Sequence, residues 1–515
     1  MSTSWSQTDT KKKIIKPFVD KACTLRPALN HKIVRPINAM LREETVSLEF
    51  FGDYGFGRGD SGVLDFGSHY VGYLTLHLDA QGGPADAPAF LKVKMCEHHR
   101  ELDEDSAAYN GWLGKGWLQE EWFHIDEFPA VLHLPRRYAL RYLKLEVLDT
   151  SPNYRLVVKQ ASLDTVTSAP DVQIQLLHTD DALLKKIDEV SIRTLRDCMQ
   201  EVFEDGPKRD RRLWIGDLRL QAMANAVTFQ NFDLVKRCLY LFAGLIREDG
   251  RVGSCLYAEP RLIVDNIFLL DYSLFFVSSL LDYYHATGDT ETFRELAPTA
   301  ILQLDAANQY LQPDGIVEPE GRYNCFIDWK DGLHKQAAMH GVLLYTLRCG
   351  VQLCRELGNQ ELADRFALEY EQGKHAALQV LWDDAQRFFI SGADRQISWA
   401  SQIWMCLAGV VEGQQAADLL KRSRQAENIC GMVTPYLFHH YVQALLECGE
   451  KEQAVCEIKR YWGGMIDAGA DTFWELYNPE DPLESPYGSN MVNSYCHAWS
   501  CTPSYLLRKI YKDRT

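Results

Sequence analysis

Hydrophobic and polar positions along the chain follow two periods. In the first third they alternate. In "SGVLDFGSHYVGYLTLHLDA", Tyr73, Leu74, Leu76 and Leu78 stand against small or polar neighbours. "AFLKVKMCEHH", "AVLHLPRRYALRYLKLEVLD" and "YRLVVKQASLDTVTS" keep the same period of two, which sends every second side chain to one face of a strand. Gly-Gly-Pro and Ser-Pro-Asn clusters separate them as turns. The pattern predicts an amino-terminal antiparallel β-sandwich over residues 1–170, interrupted by a charged, Trp-rich insertion at 101–122.

After Ser168-Ala169-Pro170 the period becomes helical. "DDALLKKIDEVSIRTLRDCMQEVF" places Leu184, Ile187, Val190, Leu195, Cys198 and Val202 on one broad face, with Thr179 or Asp180 as the expected N-cap. Four later segments end a helix near a glycine and start another a few residues on. Their turning points are Gly288, Gly358, Gly413 and Gly449. Glycine tolerates the left-handed conformation that ends a helix, so these segments read as αα-hairpins. Residues 171–515 have room for roughly twelve helices. Six hairpins could close into a toroid; an open superhelix is the competing arrangement.

The loops between these helices are rich in aromatic and acidic residues. "VGSCLYAEPRLIVDN", "VEPEGRYNCFIDWKDGLHK" and "DTFWELYNPEDPLESPYGSN" mix rings with carboxylates. A pyranose offers apolar C–H faces that stack on rings and hydroxyls that carboxylates bind. Glycoside hydrolysis itself needs a pair of carboxyl groups. The densest cluster is "EDGPKRDRRLWIGDLR", residues 204–219, where four acids and five bases surround a Pro and a Trp. Read alone, it could be a salt-bridge knot capping a helix, and Trp214 could pack on Pro207. Trp474 and Glu475 could cap a helix, and Trp329 could be core.

Composition excludes several other classes. The formal net charge is -17, which argues against nucleic acid, and there is no polybasic membrane anchor. No 18-residue apolar stretch predicts a membrane span. "MSTSWSQTDTKKK" lacks the apolar region of a signal peptide, so a cytoplasmic location is expected. The 14 cysteines lack CxxC spacing and read as buried free thiols. "CEHH" at 96–99 lies on an expected strand, where neighbours point to opposite faces, so no metal is expected there. No phosphate loop or metalloprotease motif appears, and no cofactor is inferred.

The 204–219 segment resembles the signature of glycoside hydrolase family 78, the bacterial α-L-rhamnosidases. That signature is roughly Asp-x-Pro-x-Arg-Glu-x-x-Gly-Trp-x-Gly-Asp. It matches here at Asp205, Pro207, Arg209, Trp214, Gly216 and Asp217, with Asp210 in place of the Glu and Leu213 in place of the first Gly. "LDFGSHYVGYLTLHL" and "RRYALRYLKLEV" look like the family's accessory β-domain. "FIDWKDG" and "DTFWELYNP…NSYCHAWSCTP" look like its later barrel segments. The length resembles compact, intracellular members of the Klebsiella type. The resemblance implies a β-sandwich followed by an (α/α)6 barrel, and an inverting exo-α-L-rhamnosidase acting on small rhamnosylated glycosides. By position, Asp210 would be the general acid and Glu475 the general base. Asp205 and Asp217 would bind rhamnose hydroxyls, and Arg209 would sit beside the acid and help set its charge. Trp214, Asp271, Tyr272, Asp328, Trp329 and Trp474 are further sugar-contact candidates, and His497 is expected to orient a neighbour. Another inverting barrel glycosidase, or a non-catalytic carbohydrate-binding protein, are the alternatives. Acidic glycosidases of this size are often homodimers, and the sequence locates no interface.

Overall fold

The computed structural model describes residues 12–318, 325–481 and 484–511. The amino-terminal stretch read for a leader lies outside them, as do 319–324 and 482–483 of the aromatic and acidic loops.

A short strand, β1 (Lys12–Ile14), precedes helix α1 (Lys16–Thr24). Strands β2 (Asn30–Val34), β3 (Asn38–Leu41) and β4 (Glu44–Val46) lead to helix α2 (Leu48–Asp53). The long β5 (Ser61–Gly82), β6 (Ala89–Cys96), β7 (Glu120–Ile125), β8 (Ala130–His133), β9 (Tyr138–Asp149) and β10 (Tyr154–Thr167) complete the region. These strands form one nine-stranded antiparallel sheet in the order β2-β10-β5-β9-β6-β7, with β3 and β8 also on β5 and β4 on β3. β5 organises it. Its first part pairs with β3 and β9, and its second with β10 and β8. The change comes at a bulge between Asp65 and Tyr70, where Gly67 adopts φ +78°. Leu74, Leu76 and Leu78 enter the sheet's own core with Leu91, Val93 and Leu145. Tyr73 points outward.

Among the described residues twelve helices follow, α3 (Ala182–Cys198) through α14 (Pro503–Tyr511). The N-cap of α3 is Asp181, which accepts the Leu184 N–H at 3.1 Å, one residue beyond the expected candidates. The helix stops at Cys198, so Val202 is buried in the following loop instead of on the helical face. The next elements are α4 (Ile215–Ala226), α5 (Phe232–Gly244), α6 (Leu270–Thr287), α7 (Thr290–Ala307), α8 (Gln336–Glu356) and α9 (Gln360–Ala376). They continue with α10 (Trp399–Leu407), α11 (Gly413–Gln425), α12 (Pro435–Glu447) and α13 (Lys451–Asp467). Gly288, Gly358, Gly413 and Gly449 have positive φ at all four expected turns. At the third, Gly409 (φ +73°) also follows α10, and Gly413 (φ +50°) opens α11.

The ring is closed. α4, α6, α8, α10 and α12 pack in succession, and α14 with the turn Ala498–Cys501 bridges α12 back to α4. α3, α5, α7, α9, α11 and α13 lie outside them. Burial follows this layering: 11 of the 12 residues of α4 are buried, whereas α9 buries one side only. Closure brings the loop after α3 against the loop after α13.

Sheet and ring meet through buried charges. His69 of β5 contacts Asp197 of α3 at 2.7 Å and Glu97 at 3.2 Å. Lys208 of the ring pairs with Glu101 at 2.8 Å and Glu97 at 3.3 Å. The strand expected through "CEHH" ends at Cys96, and His98 instead caps a short turn at His99–Glu101. That turn carries Glu101 towards the ring.

Candidate active site

The loop 199–214 is built around a tight return. Asp205 N–H donates to Arg212 O at 2.9 Å, and Arg212 N–H donates back to the Asp205 carboxylate at 3.0 Å. Between them Asp210 and Arg211 both take left-handed conformations, φ +63° and +52°. Two such L-residues in a row are strained, and the flanking bonds hold them there. A Cβ on Gly206 would lie 2.6 Å from Ser494 Oγ, so only glycine lets this loop approach the one after α13 so closely.

That second loop carries Glu475. Glu475 N–H donates to Ser494 O at 3.0 Å, and Trp499 Nε1 donates to Glu475 O at 3.0 Å. Ala498 N–H donates to Asp205 O at 2.7 Å, joining the two loops directly. The Glu475 carboxylate is buried. Tyr487 Oη donates to its Oε1 at 2.7 Å, and Arg209 Nη2 donates to its Oε2. Arg209 Nε donates to Val492 O at 2.6 Å, and its guanidinium lies 4.1 Å over the Tyr487 ring. Burial opposes the charge of Arg209, and Glu475 leads the groups that hold it. Arg209 therefore pairs with the carboxylate expected to be the base, not with the expected acid. Burial pushes the Tyr487 phenol well up, so it remains a donor.

Three acids of the 204–219 motif stand differently. Asp205 and Asp217 are buried, while Asp210 is partly open to solvent. The charge of Asp210 acts on Asp205, Arg209, Arg212 and Tyr487, which puts it beside the Glu475 cluster. Burial lifts the Asp205 carboxyl well above the usual range, and Asp210 and Asp217 add to the effect. Asp217 lies in the first turn of α4. Burial raises it too, with His497 pulling the other way. Tyr272 Oη donates to Asp217 Oδ2 at 3.4 Å, and His497 Nε2 lies 3.2 Å from Oδ1 without hydrogen-bond alignment. Gly216 allows this pairing, since a Cβ there would lie 2.5 Å from the Tyr272 ring.

Aromatic rings continue from here. Trp214 meets Tyr272 edge-on at 6.0 Å, and Tyr272 meets Phe326 at 5.7 Å. Phe326 stacks on Trp499 at 5.3 Å and meets Trp329 at 5.9 Å. Trp329 in turn lies 6.4 Å from Tyr487. Trp329 Nε1, Asp217 Oδ1 and both His497 nitrogens are buried without a hydrogen-bond partner in the protein. Buried polar atoms are seldom left so, and a ligand rich in hydroxyls can satisfy them.

Three further candidates have protein partners of their own. Asp271 accepts the N–H groups of Phe326 and Ile327 at 2.9 and 3.0 Å, and so holds Ile327 at φ +56°. Asp328 accepts Val433 N–H at 3.0 Å and Thr434 N–H at 3.1 Å, and burial pushes its carboxyl up to about 6. Both acids brace the loop that carries Phe326 and Trp329. Trp474 turns towards the sheet, packing on His98 and Tyr495 beneath Arg100. Sequence reasoning missed Tyr487, Phe326 and Trp499. Phe326 and Tyr487 lie in the quoted aromatic-rich loops and Trp499 in the closing segment "NSYCHAWSCTP", but nothing local distinguishes them from core rings.

One group of described residues could ligate a metal. His69, Asp197 and Cys496 bring donor atoms within 4.8 Å of one another. Both His69 nitrogens already face carboxylates, and Arg196 lies 2.7 Å from Asp197. The cluster reads as a paired ionic network. All 14 cysteines are free, with Cys198 and Cys496 sulfurs 3.8 Å apart.

Residues 35–165 match the profile of the glycosyl hydrolase family 78 alpha-rhamnosidase N-terminal domain. Residues 172–510 match that of the bacterial alpha-L-rhamnosidase 6 hairpin glycosidase domain. The chain belongs to glycoside hydrolase family 78. Among solved family 78 structures, it is similar to a rhamnosidase from Klebsiella oxytoca with rhamnose bound, at 46% identity and TM-score 0.94, covering 97% of this chain and 99% of the other. The family 78 rhamnosidase of Bacillus sp. GL1 is 23% identical with TM-score 0.73, covering 87% of this chain and 46% of the other. The Streptomyces avermitilis α-L-rhamnosidase complexed with L-rhamnose is 15% identical with TM-score 0.66, covering 94% and 44%. These two share the fold. No curated protein sequence matches the chain. As a family 78 member the chain is a glycoside hydrolase of the α-L-rhamnosidase family. Among the described residues, no helix is long and apolar enough to cross a membrane.

Proposed function

We propose that this enzyme releases terminal α-L-rhamnose from small rhamnosides with inversion, using Asp210 as general acid and Glu475 as general base. The observation that carries the reading is the meeting of the Asp210 and Glu475 loops through Arg209. The similarity to a rhamnosidase with rhamnose bound supports the choice of sugar. The atoms of Asp217, His497 and Trp329 that make no hydrogen bond within the protein offer groups to its hydroxyls. Residues 1–170 act as the accessory β-domain and 171–515 as the catalytic barrel.

The chemistry then follows from the side chains. Glu475 takes a proton from a water as its oxygen attacks the anomeric carbon. Asp210 gives a proton to the glycosidic oxygen as that carbon–oxygen bond breaks, releasing β-L-rhamnose and an alcohol. An inverting pair leaves room for the water at about 6.5–9.5 Å, against about 5–5.5 Å for a retaining pair. Tyr487 and Arg209 orient the Glu475 oxygens. The partial exposure of Asp210 suits a group that must reach the leaving group.

Proton NMR of the first product tests the reading, with β-L-rhamnose expected. Appearance of the α-anomer first, or substantial activity in Glu475→Gln, would overturn it.

A further inference from the structure

The sheet region contributes a tryptophan to the rim of this site. Trp112 lies in the 101–122 insertion and is 55% exposed. Its Nε1 donates to Pro486 O at 3.1 Å, and its ring centroid is 5.5 Å from that of Tyr487. Tyr487 holds Glu475 through its hydroxyl. The indole is thus two contacts from the carboxylate, with its N–H tied down and much of its surface open.

The insertion is anchored firmly. Gly111 runs so close to the catalytic loop that a Cβ would lie 2.2 Å from Tyr487 O. Tyr109 and Leu118 pack with Tyr487, Met491 and Val492 in a small apolar cluster. The Glu104 carboxylate accepts Asn490 N–H at 3.1 Å and Asn490 Nδ2 at 2.6 Å. Among the described residues the other exposed tryptophan is Trp122. It has Lys92 over its ring and lies on β7, away from these loops.

A large ring left exposed but held rigidly is a binding surface with little ordering cost. Its place beside Tyr487 identifies what it would meet. The rhamnosyl unit is accounted for by the buried acids and rings, so the portion beyond the glycosidic oxygen faces the rim. We propose that Trp112 is the platform on which the leaving group stacks, and that it sets a preference for aromatic or planar aglycones. This rests on the site assigned under the proposed function.

The test compares leaving groups in the full-length enzyme. Trp112→Ala should lower the ratio of kcat/KM on an aryl or flavonoid rhamnoside to that on methyl α-L-rhamnoside by about tenfold. The loss should appear in KM, Trp112→Phe should restore most of it, and the inhibition constant of free L-rhamnose should stay the same. An unchanged ratio, or equal losses on both substrates together with weaker L-rhamnose inhibition, would overturn the proposal and leave Trp112 a mere prop for Tyr487. The outcome is independent of the Glu475→Gln result, which bears on the acid–base pair for every leaving group alike.

Discussion

Arg209 and Glu475, 266 residues apart, form a buried ion pair that ties the loop after α3 to the loop after α13. The same guanidinium serves Val492 O through Nε and lies over Tyr487. A lysine has one compact ammonium and cannot meet all three partners. Arg209→Lys should lower kcat/KM by about two orders of magnitude, the usual scale for breaking a buried charge pair. Steady-state kinetics alongside circular-dichroism melting will separate this loss from unfolding.

Asp210 donates its proton in the proposed mechanism, and a good leaving group needs little protonation. Asp210→Asn should therefore cut turnover of a rhamnosyl disaccharide by about a hundredfold or more while sparing an activated aryl rhamnoside. Equal losses on both would remove Asp210 from the acid role.

Asp217 has one oxygen facing Tyr272 and the other 3.2 Å from His497 Nε2 without a hydrogen bond. Asp217→Asn should weaken inhibition by free L-rhamnose by about tenfold, the scale of one charge-assisted hydrogen bond. The activity ratio between good and poor leaving groups should not move. Competitive inhibition measured on two substrates checks both statements.

Asp328 keeps its proton up to about pH 6 in the folded chain, against about 3.9 when unfolded. Between those values the native state binds more protons, so this group's contribution to stability falls as pH rises through the window. The change is on the order of 3 kcal/mol. Asn cannot titrate, so the stability difference between wild type and Asp328→Asn should shift in the variant's favour from pH 4 to pH 7. A constant difference in melting temperature across that range would contradict the assignment.

Lys208 is the ring's answer to Glu97 and Glu101 of the sheet region. Lys208→Met would leave these carboxyl groups buried without their cation and should cost about 3–5 kcal/mol. Adding Glu97→Gln should recover part of the lost stability, as read by denaturant unfolding.

What the sequence determined by itself was local. A change of hydrophobic period separates strands from helices, because the period depends only on backbone geometry. Glycines with positive φ mark all four expected helix turns, because the conformation is a property of the residue itself. The motif at 204–219 was legible as a cluster that needs partners. The partners were not legible, because a carboxylate reads the same whether it meets a sugar, a backbone N–H or an arginine. Only tertiary structure closes the ring and sends Arg209 to Glu475 instead of Asp210. It turns Asp271 and Asp328 onto backbone N–H groups, and Trp474 onto the sheet. It also brings Gly111 and Trp112 against Tyr487. These are contacts across hundreds of residues, decided by which surfaces can exclude water together.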